Sequence, residues 1–217
     1  MPAAWYARIE FLDALMIRAC NRHSKLALAE LPTLFLEFHG TGQAVREQTG
    51  MVQEGAAANE GVGFRWAIRR EERSLLRRAR HSACFAALAL RPGSSCVIAD
   101  VCVPMSALAE SVAQAHPDIE REGLVAPLLG HVGDGNFHVL FMPMPDRLDE
   151  IAAVERVYGA MVTRSIACGG NCTGEHGIGL GKKVKLLAEC GLETVDLMRD
   201  IKRAWDPKSI LNPGKIF

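Results

Sequence analysis

The spacing of apolar positions changes several times along the chain. Residues 7–13 alternate enough to read as a strand, and 14–31 spread Leu15, Cys20 and Leu26 along a helix. The run Thr33-Leu34-Phe35-Leu36-Glu37-Phe38-His39 reads as a strand ended by Gly40-Thr41-Gly42. A polar-faced helix follows over 44–58, then a third strand over 61–68. Residues 97–103 form another apolar strand, closed by Pro104. Residues 106–116 read as a helix with Pro117 just past its end, 149–168 as a long amphipathic helix, and 195–204 as a last one. This order predicts the α+β class: an antiparallel sheet with helices packed on one face, in ferredoxin-like split βαβ units.

Between two apolar runs lies Gly130-His131-Val132-Gly133-Asp134-Gly135-Asn136-Phe137-His138. Asp-Gly in such a setting predicts a tight hairpin over 125–143 with a two-residue type I′ turn. Residue 133 then pairs with 136, 132 with 137, and His131 with His138. Directly opposed side chains have Cβ atoms roughly 4.5–5.5 Å apart, so two imidazoles could converge on one ion. Zinc, or a similar first-row cation, suits nitrogen donors at such a site. A second patch, Gly169-Gly170-Asn171-Cys172-Thr173-Gly174-Glu175-His176-Gly177-Ile178-Gly179, adds a carboxylate and a further histidine. The plainer alternatives are an exposed histidine pair without an ion and a polar loop with ordinary hydrogen bonds. His23, His39, His81 and His116 read as ordinary core or surface groups.

Composition narrows the class. With 217 residues, the chain is long enough for one domain with a substantial core. Its 25 basic and 25 acidic side chains cancel, so no global field favours nucleic acid or an anionic membrane. The arginines at 69, 70, 73, 77, 78 and 80 alternate with Glu71 and Glu72 and read as a solvated helix face. Seven scattered cysteines form no C-x-x-C, which fits a reducing compartment. Cys168 and Cys172 read as small buried thiols. No apolar stretch approaches the length of a membrane span, and Met1–Tyr6 have no leader pattern. Gly177-Ile178-Gly179-Leu180-Gly181 lacks the preceding apolar strand of a phosphate cradle. Those glycines are expected to let backbone pass close to a ligand.

The strings GHVGDGNFH, CTGEHGIGLGKK and DPKSILNPGK resemble the C-terminal half of the FAD-linked oxidases, in the vanillyl-alcohol oxidase superfamily. ARIEFLD, PTLFLEFHG, AALALRPG and ADVCVP are most similar to its D-lactate dehydrogenase (cytochrome) subgroup. The resemblance spans residues 1–217 as one substrate- and metal-side domain, and the family's FAD-binding half has no counterpart in the chain. It implies His131, His138 and Glu175 as ligands of a divalent metal, zinc first among them. It implies His176 as the catalytic base and Arg80 as the grip on a substrate carboxylate. Asn212 and its neighbours match the segment that closes over the flavin, so Asn212 and Glu175 are placed at the cofactor.

The implied activity is oxidation of a small D-2-hydroxy acid by bound FAD. D-lactate is the first choice, because Ile98 and Leu140 stand where hydroxyglutarate-specific members have lysine and asparagine. Glycolate and D-2-hydroxyglutarate remain alternatives. The implied acceptor is cytochrome c, a quinone or electron-transfer flavoprotein. The setting would be the bacterial cytoplasm, including its membrane periphery, or the mitochondrion. Two other readings stay open. One is a silent fragment or subunit that works only with a separate FAD-binding chain. The other is a zinc hydrolase, although the H-E-x-x-H helix signature is absent.

Overall fold

The computed structural model describes residues 7–217, with Ala79 described in its backbone only; residues 1–6, where a leader was sought, lie outside the described residues. Five strands form one antiparallel sheet: β1 (Arg8–Leu12), β2 (Thr33–Glu37), β3 (Val97–Cys102), β4 (Leu128–Gly130) and β5 (Asn136–Phe141). Their spatial order is β2-β1-β4-β5-β3. This is the expected α+β class with an antiparallel sheet.

Helices cover both faces of the inner strands rather than the single face expected. The sheet residues Ala99, Val101, Phe137, Val139 and Phe141 pack against α5 (Met105–Arg121) and α6 (Leu148–Ala167). On the other face Leu12, Leu129, Leu140 and Met142 meet α1 (Ala14–Ser24) and α4 (Ala83–Leu88). Two-sided cover explains why β5 is buried at every position, its polar Asn136 and His138 included. Burying one large apolar side chain contributes roughly 1.5–3 kcal/mol, so these two clusters hold the sheet in place.

Several boundaries moved for identifiable reasons. Helix α1 begins at Asp13, whose carboxylate accepts from Met16 N–H at 2.7 Å. It stops at Ser24 rather than residue 31, because Lys25 turns left-handed (φ 53°) and the Asn21 amide clasps both backbone groups of Leu28. Helix α2 (Gly42–Ala58) fits the expectation. The expected strand over 61–68 does not form: Val62 and Ile68 are more than three-quarters exposed, and no sheet edge pairs with them. The basic run forms α3 (Arg70–His81), whose Arg69, Arg77 and Arg80 pair with Glu72, Glu37 and Glu10.

Helix α5 runs through Pro117 instead of ending before it. A proline inside a helix costs roughly 3 kcal/mol, and the burial of Ala115 and Ile119 on either side offsets it. The last helix, α7 (Lys183–Trp205), is longer than expected and is broken at Gly191, which has φ 77° and ψ 164°. Val195 is the buried anchor of its second half.

The hairpin also differs in register. Leu129, not His131, stands opposite His138. His131–Gly135 form a wider connection with one 3₁₀ turn over Val132–Asp134, closed by Asp134 N–H donating to His131 O at 3.0 Å. Gly130 crosses tightly over the next strand, where a Cβ would sit 2.5 Å from Asn136 O. Gly135 has φ 77°, and a Cβ there would overlap the Val103 carbonyl oxygen. Left-handed backbone and steric overlap therefore coincide at Gly135. Gly135→Ala should lower unfolding stability by at least about 2 kcal/mol in a urea titration. An unchanged midpoint would show that the turn is not held against Val103.

Candidate metal centre and active site

Five segments far apart in sequence meet across strands β1, β4, β5 and β3 of this sheet. Strand β1 brings Glu10, the end of α3 brings Arg80, and strand β3 brings Asp100. The β4–β5 connection and β5 bring His131 and His138. The loop after α6 brings Glu175 and His176.

The two hairpin histidines lie with ring centroids 5.8 Å apart, nearly edge to face. Each turns its Nε2 toward the same oxygen: Glu175 Oε1 lies 2.9 Å from His138 Nε2 and 3.3 Å from His131 Nε2. Behind each ring stands a buried carboxylate. His131 Nδ1 meets Glu10 Oε1 at 3.0 Å. His138 Nδ1 faces Asp100 Oδ1 at 3.3 Å, within ion-pair distance though not aligned as a hydrogen bond. Ligands that share one tetrahedral ion at about 2.0–2.1 Å stand roughly 3.3 Å apart. The donor set of His131, His138 and Glu175, all within 4.8 Å of one another, therefore fits a divalent first-row cation. The carboxylates behind both rings are the outer partners such a site uses to orient its imidazoles.

His176 stacks on His138, with centroids 4.7 Å apart and planes 7° from parallel. Burial, more than the neighbouring charges, pushes its pKa below the usual histidine value. The shift favours the neutral ring near pH 7. Arg80 Nε donates to Glu10 Oε2 at 2.9 Å, and its Nη2 lies 3.4 Å from His131 Nε2. The structure thus brings together five of the residues singled out in the sequence: Arg80, His131, His138, Glu175 and His176. All five line one cavity of about 150 Å³, together with Ile98, Leu140, Ala83 and Cys84. A larger cavity of about 510 Å³ lies on the other side of His131 and Glu175. Asn212 lines neither cavity; it sits exposed in the C-terminal tail with φ 48° and accepts from Lys215 N–H. Cys172 is buried as expected, and that burial pushes its thiol up to about 12, whereas Cys168, also expected to be buried, is exposed.

Sequence reasoning missed the residues that hold the site in place. Asp100 is fully buried, and its Oδ2 accepts from three successive backbone N–H groups: Gly174 at 3.0 Å, Glu175 at 3.1 Å and His176 at 2.9 Å. The Thr173 hydroxyl at 2.7 Å and Lys182 Nζ at 3.4 Å join them, and Asn136 Nδ2 donates to Oδ1 at 2.8 Å. Burial alone would raise the Asp100 pKa, but these bonds outweigh it and hold the carboxyl far below the usual range. The available signal was an acidic residue inside each of two otherwise apolar strands, Ile9-Glu10-Phe11 and Ala99-Asp100-Val101. Charges are seldom fully buried unless paired.

Residues 3–216 match the family model described as FAD linked oxidases, C-terminal domain. The chain belongs to that family. It is 45% identical over 211 residues to the "Probable D-lactate dehydrogenase, mitochondrial" of Danio rerio, covering 97% of this chain and 42% of the relative. It is 40% identical over 217 residues to the "D-lactate dehydrogenase [cytochrome], mitochondrial" of Arabidopsis thaliana, covering 100% of this chain and 38% of that one. The domain thus spans less than half the length of these curated relatives. A crystal structure of p-cresol methylhydroxylase with substrate bound superposes with a TM-score of 0.66 over 96% of this chain and 46% of that one. At 16% identity, the likeness is one of fold.

In this FAD-linked oxidase domain the Asp100 hub makes a specific demand. Asn at 100 would leave Lys182 without its counter-charge and put an amide donor among donors. Breaking a buried ion pair costs roughly 3–5 kcal/mol. Asp100→Asn should therefore lower stability by about that amount in chemical unfolding at pH 7. A loss under 1 kcal/mol, on the order of an exposed pair, would mean that the loop does not depend on this carboxylate.

Proposed function

We propose that this domain is the substrate- and metal-holding part of an FAD-dependent D-2-hydroxyacid dehydrogenase, with D-lactate as the preferred substrate. The observation that carries the reading is the convergence of His131 Nε2 and His138 Nε2 on Glu175 Oε1, beside Arg80 and a small cavity. FAD belongs to the family; here its binding falls to a segment outside these residues or to a separate chain. Names of the relatives support a mitochondrial setting with a cytochrome as acceptor. Among the described residues no helix is long and apolar enough to cross a membrane.

His131, His138 and Glu175 would hold the divalent cation, zinc being the first choice. The cation supplies charge that acidifies a hydroxyl, and the flavin supplies a two-electron acceptor. Arg80 binds the substrate carboxylate through the guanidinium edge that Glu10 leaves free, which fixes the direction of the Cα–H bond. His176, its neutral form favoured near pH 7, takes the hydroxyl proton at a ring nitrogen. Ile98 and Leu140 wall the cavity with apolar surface. A second carboxylate on the substrate would lose its hydration there without a partner, which selects a short chain.

Two experiments test this reading. Titrated with zinc, the chain should bind one ion, and His131→Ala combined with His138→Ala should abolish stoichiometric binding. One tightly held zinc in the double variant would refute the ligand set. In the flavin-loaded enzyme, Ile98→Lys with Leu140→Asn should shift the kcat/KM ratio of D-2-hydroxyglutarate over D-lactate upward by about ten-fold or more, the equivalent of one charge-assisted hydrogen bond. An unchanged ratio would remove both positions from substrate selection.

A further inference from the structure

We infer that Glu10 is a positioning residue that fixes which nitrogen of His131 is offered to the metal; this rests on the metal reading above. The His131 ring stands between two carboxylates that compete for its proton. Glu10 Oε1 meets Nδ1 at 3.0 Å, and Glu175 Oε1 meets Nε2 at 3.3 Å. Glu10 is the nearer, and its side chain is 5% exposed against 48% for Glu175. The attraction of a buried carboxylate is less screened by water. The proton is therefore held on Nδ1, and Nε2 is left with its lone pair facing His138 and Glu175. Arg80 Nη2 lies 3.4 Å from Nε2, and since a guanidinium can only donate, that contact also calls for an unprotonated Nε2; a cation bound there would take its place.

Both oxygens of Glu10 are committed by hydrogen bonds, and Arg8 Nε also stands 3.7 Å from Oε1. Oε1 accepts from His131, while Oε2 accepts from Arg80 Nε at 2.9 Å. Only a carboxylate can do this. An amide has one acceptor, so glutamine would satisfy either Arg80 or His131 and turn an N–H₂ toward the other. Turned toward His131, that N–H₂ would call for a bare Nδ1 and a protonated Nε2, the tautomer that cannot bind the ion from this side. Arg80 is the latch in this arrangement: it pins Oε2 so that Oε1 stays under the ring. The same carboxylate thus ties the substrate clamp to the metal ligand across β1, α3 and the β4–β5 connection.

The test uses the 217-residue chain and zinc as the probe. With ¹⁵N-labelled histidine, the zinc-loaded wild type should show His131 bound through Nε2, with a slowly exchanging Nδ1–H. In E10Q that Nδ1–H signal should be lost, and calorimetric zinc affinity should fall about 10–100-fold, the usual cost of losing an outer partner of a metal-bound imidazole. A wild-type chain that takes no zinc would overturn the metal assignment and this role with it. Zinc bound through His131 Nδ1, or E10Q binding zinc as tightly as wild type, would overturn the role of Glu10 alone. If E10Q does not fold, the nitrogen assignment in the wild type decides.

Discussion

A single buried carboxylate organises the site. Asp100 lies in the middle of β3 with no exposed surface, and one of its oxygens gathers the N–H groups of Gly174, Glu175 and His176. Three successive amides pointing at one atom force the loop to curl around it. That curl turns the Glu175 carboxylate toward the two histidines and lays His176 flat on His138. Placing a charge in the interior is costly unless it is matched by a counter-charge and hydrogen bonds. Lys182, Thr173 and Asn136 complete the match. The loop can come so close only because residue 174 is glycine: a Cβ there would run into the Asn136 amide.

The site has a rigid back and an open front. His138 and its partner Asp100 are enclosed, with side chains 4% and 0% exposed, while Glu175 is about half exposed. Carboxylates fix the nitrogen donors from behind, and the oxygen donor closes from the solvent side. The group nearest solvent is thus the carboxylate, and the imidazoles keep the more enclosed positions. The small cavity beside it is polar on the Arg80 and His176 side and apolar at Ile98 and Leu140.

Elements with long, regular patterns were legible in the sequence. The span expected over 149–168 is α6 (Leu148–Ala167), and the apolar run at 97–103 is β3. Elements decided by distant partners were not. Residues 61–68 alternate like a strand but find no edge to pair with. Pro117 reads as a stop, yet Ala115 and Ile119 bury themselves well enough to carry the helix past it. Helix α7 was foreseen only in its second half, since Gly191 breaks the periodicity across it. The chemical groups of the site were legible because histidine, glutamate and glycine crowd into two short stretches. Glu10 and Asp100 were not, because each is one acidic residue in an apolar strand, and its hydrogen-bond partners come from 36 or more positions away.

The hairpin shows why His131 and His138 come together although their expected pairing does not form. A two-residue turn would have placed His131 across from His138, and convergence would then follow from strand geometry. In the structure His131 has left the ladder, and Leu129 takes that place. The rings still face one oxygen, so cross-strand pairing is not what aims them. His131 is aimed by its hydrogen bond to Glu10, and His138 stands against the buried Asp100 at 3.3 Å. The wider connection has its own use: it swings His131 off the sheet and over β1, within reach of Glu10 and therefore of Arg80. A tight hairpin would have kept the two histidines together and left the carboxylate clamp unconnected to them. The five residues between strands, with their 3₁₀ turn, are what join His131 to Glu10 and Arg80.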